Sequence, residues 1–459
     1  MRGIGVTGAT LAFAGVASGD ESDEAVQYLV VGGRGVGDRL EDAGFDVRQE
    51  LADGRVFVAY GPEGADPTSV RGVADATTDV RLRLEAPELE SVSADDDVEP
   101  PAFYEEYLWD KQVTASLEAN EYATGDGRRI AVVDTGVDYA HPELVANLDE
   151  DAGRLFRDGE IREGVGEVVV PDDYAEPTAL TEAEFHVADE QQGHGTHVAG
   201  IAAAADGDGV IGTAPDATLA SLRVFWWDMV PDEETDELEP AAVTTTGDVL
   251  TAIDHAASEG YDVANLSLGT APLPPDVNAD AFVRAYKLVV EHAVQQGTVI
   301  AASAGNAETN LQQGGLFSLP NSIRGAMSVS ATGPNDELSF YSNYGTNEID
   351  VGAPGGGYET EEKTVDPEAD VDWPFPTNLV FSTISPRVEG GAYGWKAGTS
   401  MAAPQVAGLV ALVRELEPDA NARQVESAIK RGAEGASGRS DPELGAGRID
   451  AAKTVEPLE

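Results

Sequence analysis

The chain of 459 residues has no cysteine, which excludes disulfides, a thiol nucleophile and cysteine-ligated zinc, and with them any inference about redox compartment. It also lacks an apolar run of the ~18 residues that a bilayer-crossing helix needs. Positive charge is scarce: 28 Lys and Arg stand against 84 Asp and Glu, a formal net charge of −56, and the sequence pI is about 4.1. Lysine is rarest, occurring at Lys111, Lys287, Lys363, Lys396, Lys430 and Lys453. At ordinary salt such a chain repels phosphate backbones and anionic bilayers, so no nucleic acid and no membrane is expected among its partners.

The carboxylates run the whole length of a chain that is 42% hydrophobic, which places them on a folded surface and not in a disordered acidic polymer. That composition resembles proteins of extreme halophiles, because molar salt shortens the Debye length to about 3 Å and removes most of the self-repulsion. The competing reading is an acidic protein of ordinary salinity. Residues 1–23 carry one early charge, Arg2, then a mildly apolar stretch from Ile4 to Val16 that ends in small residues. This outlines a weak secretion signal without the paired arginines of the twin-arginine type. An unstructured or strand-forming N-terminus is the alternative.

From Tyr28 the pattern predicts strand (Tyr28 to Val31), helix (Val36 to Ala43), strand (Asp46 to Leu51), strand (Val56 to Tyr60), helix (Thr68 to Ala74) and strand (Val80 to Leu84). With a turn at Asp53-Gly54, this βαββαβ order suits a small α+β, ferredoxin-like domain. Gly33-Arg34-Gly35-Val36-Gly37 follows the first strand, but its third glycine comes one residue early for a dinucleotide turn and the unit is antiparallel. Ser91 to Pro101 is acidic, proline-ended and without periodicity, as in an exposed linker. Beyond it, apolar strands near Ile130 to Val133, Leu219 to Val224, Val263 to Leu266 and Val299 to Ala302 alternate with helical runs from about His197, Gly247, Ala281 and Met401. Continuous apolar strands between helices predict an α/β fold, a doubly wound, mostly parallel sheet covered on both faces, with ligands at the strands' carboxyl ends. Asn147 to Gln192, Trp226 to Glu239 and Gly355 to Gly391 break this rhythm and are expected to be surface insertions.

Three segments carry candidate chemistry. Asp134 ends the strand Arg129-Ile130-Ala131-Val132-Val133, where a buried carboxylate needs partners, although alone it reads as a turn cap. Gly193-His194-Gly195-Thr196-His197 puts a potential general base at a helix start; two histidines three apart also suit zinc, but the glutamate and spacing of HExxH are missing. Gly398-Thr399-Ser400-Met401-Ala402 exposes a serine at a helix N-terminus, which alone reads as an N-cap. The Ser400 segment approaches the G-x-S-x-G elbow, but Ala402 replaces the last glycine, and here Asp134 and His194 precede the serine.

In that order the three motifs resemble the subtilisin-like serine proteases (subtilases, peptidase S8), and the acidic composition adds a likeness to haloarchaeal, halolysin-type members. The resemblance spans roughly Trp109 to Val455 and includes the turn Gly209-Val210-Ile211-Gly212-Thr213-Ala214-Pro215. It implies a subtilisin-like fold over residues 100–459 and a serine endopeptidase with Asp134, His194 and Ser400 as catalytic triad. Asn306 would be the side-chain donor of the oxyanion hole, and Ser267, Leu268, Gly269, Ser303 and Gly305 would form the substrate walls. It further implies that residues 24–99 are a self-removed propeptide, as against a retained binding module, behind a signal in residues 1–23. The enzyme is then expected to be secreted, a cytoplasmic maturation protease being the alternative, and to act as a monomer on protein or peptide substrates. The chemistry requires no cofactor; structural calcium is compatible with Glu143 and Asp206, which fall where the family often places ligands. Phe225-Trp226-Trp227 is placed either in the cleft wall or in packed core.

Overall fold

The structure is a computed structural model that describes residues 9–13, 25–79, 81–85, 92–93, 107–205, 209–231, 237–435 and 440–459. Its centre is an eight-stranded sheet in the spatial order Glu160–Glu163, Arg154–Arg157, Thr218–Arg223, Arg129–Asp134, Val263–Leu266, Val299–Ser303, Ala326–Thr332 and Val351–Pro354. Every neighbouring pair is parallel except Glu160–Glu163 with Arg154–Arg157.

The unbroken apolar strands follow from burial on both faces. Ile130 and Val132 enter a core shared with the helices His194–Ala203, Thr399–Leu416 and Ala422–Gly432. Their neighbours Ala131 and Val133 enter a second core shared with Thr246–Ser258 and Ala281–Gln296. Both faces of a strand being covered, the period-2 polar signal disappears. Two strands at the far edge, Ala326–Thr332 and Val351–Pro354, went unread because small residues and a four-residue length leave little pattern.

Residues 25–78 form a four-stranded antiparallel sheet in the order Asp46–Leu51, Val56–Pro62, Ala25–Gly32, Val73–Thr78, with one helix, Gly37–Asp42. The expected second helix is only a 3₁₀ turn, Pro67–Ser69. The strand then starts at Val73, because the left-handed Gly72 (φ +99) and a β-branched tail leave no room to extend a helix. The sheet alternates cleanly: Tyr28, Val30 and Phe57 face its own helix, while Leu29, Val31, Val56 and Val58 join the core of the larger domain. Ala52 N–H donates to Asp254 Oδ1 at 2.9 Å and Gln27 Nε2 to Thr245 Oγ1 at 3.0 Å across that contact.

Arg81–Glu85 leaves this sheet. It lies in a second one, ordered Trp226–Pro231, Leu238–Thr245, Arg81–Glu85, Ala9–Phe13, Leu268–Thr270. Part of the expected linker is also structured, since Val92–Ser93 pairs with Tyr393–Lys396. The three expected surface insertions are corrected in part. Arg154–Arg157 belongs to the central sheet. Trp226 and Trp227 pack inward at 2% and 8% exposure, which decides for packed core over cleft wall. Val380–Thr383 is a wholly buried strand whose Phe381 lies in the main core. Long segments that look polar on average conceal short strands of this kind.

Candidate active site

Three elements converge at the carboxyl end of the central sheet. Asp134 is the last residue of its strand and fully buried; its Oδ1 accepts from Thr135 N–H and from His194 Nδ1–H, each at 2.7 Å. This pairing fixes the imidazole tautomer, leaving Nε2 as the basic nitrogen. His194 opens its helix, three residues earlier than periodicity predicted. The helix can come so close only because residue 195 is glycine: a Cβ there would stand 2.1 Å from Gly136 O. Gly195 N–H donates to Thr135 Oγ1 at 2.8 Å, tying helix start to strand end.

Ser400 is the second residue of the helix Thr399–Leu416. Its Oγ donates to the Ser267 carbonyl at 3.0 Å, while Ser267 Oγ donates to the Ser400 carbonyl at 2.8 Å. His194 Nε2 is buried with no partner among the described residues.

Asn306 is held by its oxygen. Oδ1 accepts from Thr399 N–H at 2.9 Å and Thr399 Oγ1–H at 2.8 Å, which commits the oxygen end of the amide to the serine helix's first residue. Gly305, at φ +95, sits where a Cβ would meet Asn343 Nδ2 at 2.6 Å. Gly269, Ser303, Gly305, Asn306, Asn343 and Ser400 line one cavity, whose solvent volume is about 10 Å³. Of the expected substrate walls, Gly269, Ser303 and Gly305 thus meet Ser400. Ser267 contacts it through the hydrogen bonds above, and Leu268 is buried in the core.

Several supports had no signal in the sequence. Glu190, fully buried, accepts from Thr196 N–H at 2.8 Å and from Gln191 and Gln192 N–H at 2.9 Å, placing negative charge at the histidine helix's N-terminus. Lys396 donates to Gly193 O at 3.0 Å and to Glu389 at 2.6 Å. Asn343 Oδ1 accepts from Ala307 and Thr309 N–H, both at 3.1 Å, and its Nδ2 donates to Ala304 O at 2.9 Å, shaping the loop around Asn306. Lys396 and Asn343 work through distant parts of the chain, which short motifs do not register, and Glu190 acts on backbone amides within six residues, which leave no side-chain pattern.

His197 is a packed residue: Nε2–H faces the Val380 and Gly394 carbonyls at 3.1 and 3.3 Å, and burial holds its pKa well below the usual imidazole value. Glu143 is buried and accepts from Tyr393 OH at 2.7 Å. Asp206 lies outside the described residues, and those residues hold no group of three or more His, Asp or Glu suited to a metal.

The family model described as the Subtilase family (Peptidase S8) matches residues 125–447. The chain is 32% identical to the thermophilic serine proteinase of Bacillus sp. (strain AK1), over 74% of this chain and 62% of that protein. It is 28% identical to the extracellular protease of Xanthomonas campestris pv. campestris, over 87% and 64%, and 30% identical to thermitase of Thermoactinomyces vulgaris, over 74% and 92%. It thus spans less than two thirds of the first two. Among solved structures, the epidermin leader peptide processing serine protease of Staphylococcus aureus shares the fold with a TM-score of 0.69 at 19% identity, covering 95% of this chain and 99% of the other.

Proposed function

The chain belongs to the subtilase family, and from that premise we propose that it is a serine endopeptidase worked by Asp134, His194 and Ser400. The observation that carries the reading is the 2.7 Å bond between Asp134 Oδ1 and His194 Nδ1; Ser400, at a helix start, shares its cleft with Asn306. Ser400 Oγ attacks the peptide carbonyl as its proton passes to His194 Nε2, and Asp134 stabilises the imidazolium. The oxyanion receives hydrogen bonds from Asn306 Nδ2 and Ser400 N–H. His194 then protonates the leaving amine, giving an acyl-enzyme that water hydrolyses by the reverse sequence. These steps use side chains and backbone amides alone.

Residues 24–99 act in this reading as the inhibitory part of a zymogen. In support, Arg81–Glu85 pairs antiparallel with the wall Leu238–Thr245. The name of the Xanthomonas relative supports export, and the charge of −56 supports work in high salt, as in halolysin-type enzymes. Incubation with a fluorophosphonate probe in molar salt tests the core of the proposal: Ser400 becomes labelled and Ser400→Ala does not. Absence of labelling on folded, processed protein would refute it.

A further inference from the structure

The segment Arg81-Leu82-Arg83-Leu84 lies as an added strand, antiparallel, on Leu238–Thr245, with Arg81 opposite Thr245, Leu82 opposite Thr244 and Arg83 opposite Val243. Alternation along the strand divides its side chains. Leu82 and Leu84 are buried in the apolar cluster that includes Leu266, Leu268 and Phe317. The arginines take the other face. There Arg81 pairs with Asp228, and Arg83 Nη1 stands 2.7 Å from Glu239 Oε1. Both carboxylates belong to the hairpin of Trp226–Pro231 and Leu238–Thr245, so one two-residue step along an added strand meets two acids in turn.

The direction of the strand is also determined. Ser267, which exchanges two hydrogen bonds with Ser400, immediately precedes Leu268–Thr270; Glu85 lies across from Thr10, which lies across from Gly269, whereas Leu82 lies across from Phe13, two residues past the partner of Thr270. The strand runs toward Ser400, and the two arginines are upstream of it.

We propose that this hairpin is a recognition edge for basic peptide: Asp228 and Glu239 select Arg or Lys at two positions one residue apart, with an apolar residue between, on the amino side of the scissile bond. Arg81–Leu84 holds the edge in the manner of such a substrate. The inference rests on the peptidase reading and adds the substrate class. Peptide binding here is strand addition, in which main-chain bonds give affinity and alternate side chains give selectivity. General attraction by an acidic surface cannot do the same, since it acts on arginine at any position.

The test uses internally quenched peptides that differ only at those two upstream positions, Arg/Arg, Gln/Gln or Glu/Glu, with leucine between them. They are offered to the full chain at the lowest salt that keeps its melting cooperative. The wild type is expected to favour Arg/Arg over Gln/Gln by about fivefold in kcat/KM, the size that two half-exposed ion pairs supply. In Asp228→Asn/Glu239→Gln the ratio falls to within about twofold, and in Asp228→Lys/Glu239→Lys the Glu/Glu peptide becomes the better one. Equal rates in the wild type, a ratio that survives in the double variants, or the same gain from arginines moved downstream of the bond overturns the inference. Failure of the peptidase reading looks different, since then no peptide is cut and Ser400 takes no probe.

Discussion

Asn306→Ala removes the Nδ2–H donor of the proposed oxyanion hole and, with it, the Oδ1 acceptor of two bonds from Thr399, so the loss on the Thr399 side needs its own control. Losing a donor of this type costs about 2.7–4 kcal/mol, the range measured in subtilisin and not a value worked out from this chain. At about 1.36 kcal/mol per tenfold, kcat falls by about 10²–10³. KM stays nearly constant, since the bond forms in the transition state. Thr399→Val gives a graded comparison: it removes one of the two bonds on Oδ1 and the acceptor of Gly305 N–H but leaves Nδ2 in place. With a neutral hydrogen bond worth about 1 kcal/mol, kcat is expected to fall about fivefold. Steady-state kinetics on a quenched peptide in molar salt, with a thermal melt of each variant, reads both. If Asn306→Ala keeps kcat within a few-fold of wild type and raises KM about tenfold instead, Asn306 binds ground-state substrate and the assignment is wrong.

Gly195→Ala puts a Cβ 2.1 Å from Gly136 O and forces the histidine helix off the strand that carries Asp134; a folded variant with about a hundredfold lower kcat is expected, while unchanged turnover would show the contact to be slack. Lys111, buried among Gln405 Oε1 at 2.7 Å, Ile201 O at 3.0 Å and Thr213 Oγ1 at 3.1 Å beside Asp110, joins the histidine and serine helices. Lys111→Met strands the Asp110 carboxylate and should lower unfolding free energy by about 3–5 kcal/mol in denaturant titration, with Asp110→Asn/Lys111→Met recovering part of it. Asp248 is fully buried, and desolvation pushes its pKa up from 3.8 to about 7 in spite of hydrogen bonds from Thr245 and Gly159. The folded state therefore holds more protons than the unfolded state between those values, and this contribution to stability is lost as pH rises through that window. The stability difference between wild type and Asp248→Asn should shift against the wild type from acid to neutral pH; a pH-independent difference would refute the burial argument.

The central strands were legible because burial on both faces leaves continuous apolar runs, as in Ile130 to Val133. Asp134, His194 and Ser400 were legible together though each alone read as a cap. Their segments obey local rules, a strand end followed by a turn and two helix starts flanked by small residues, and these rules survive without neighbours. The far edge strands, the missing second helix of the N-terminal domain and the buried strand Val380–Thr383 were not legible. Short elements take their conformation from partners far along the chain.

What the sequence by itself determined is the chemistry available and its placement on elements: a carboxylate at a strand end, an imidazole and a hydroxyl at helix starts, and an acidic surface without thiols. Tertiary structure alone decided how these groups meet. It joins Asp134 to His194 across sixty residues at 2.7 Å, turns the Ser400 hydroxyl to Ser267, and buries Glu190 beneath the histidine helix. It also sets Arg81 and Arg83 against Asp228 and Glu239. The physical reason is that local pattern specifies conformation and which face is buried, whereas hydrogen bonds and ion pairs between distant segments depend on ångström-scale packing that no local window of the sequence contains.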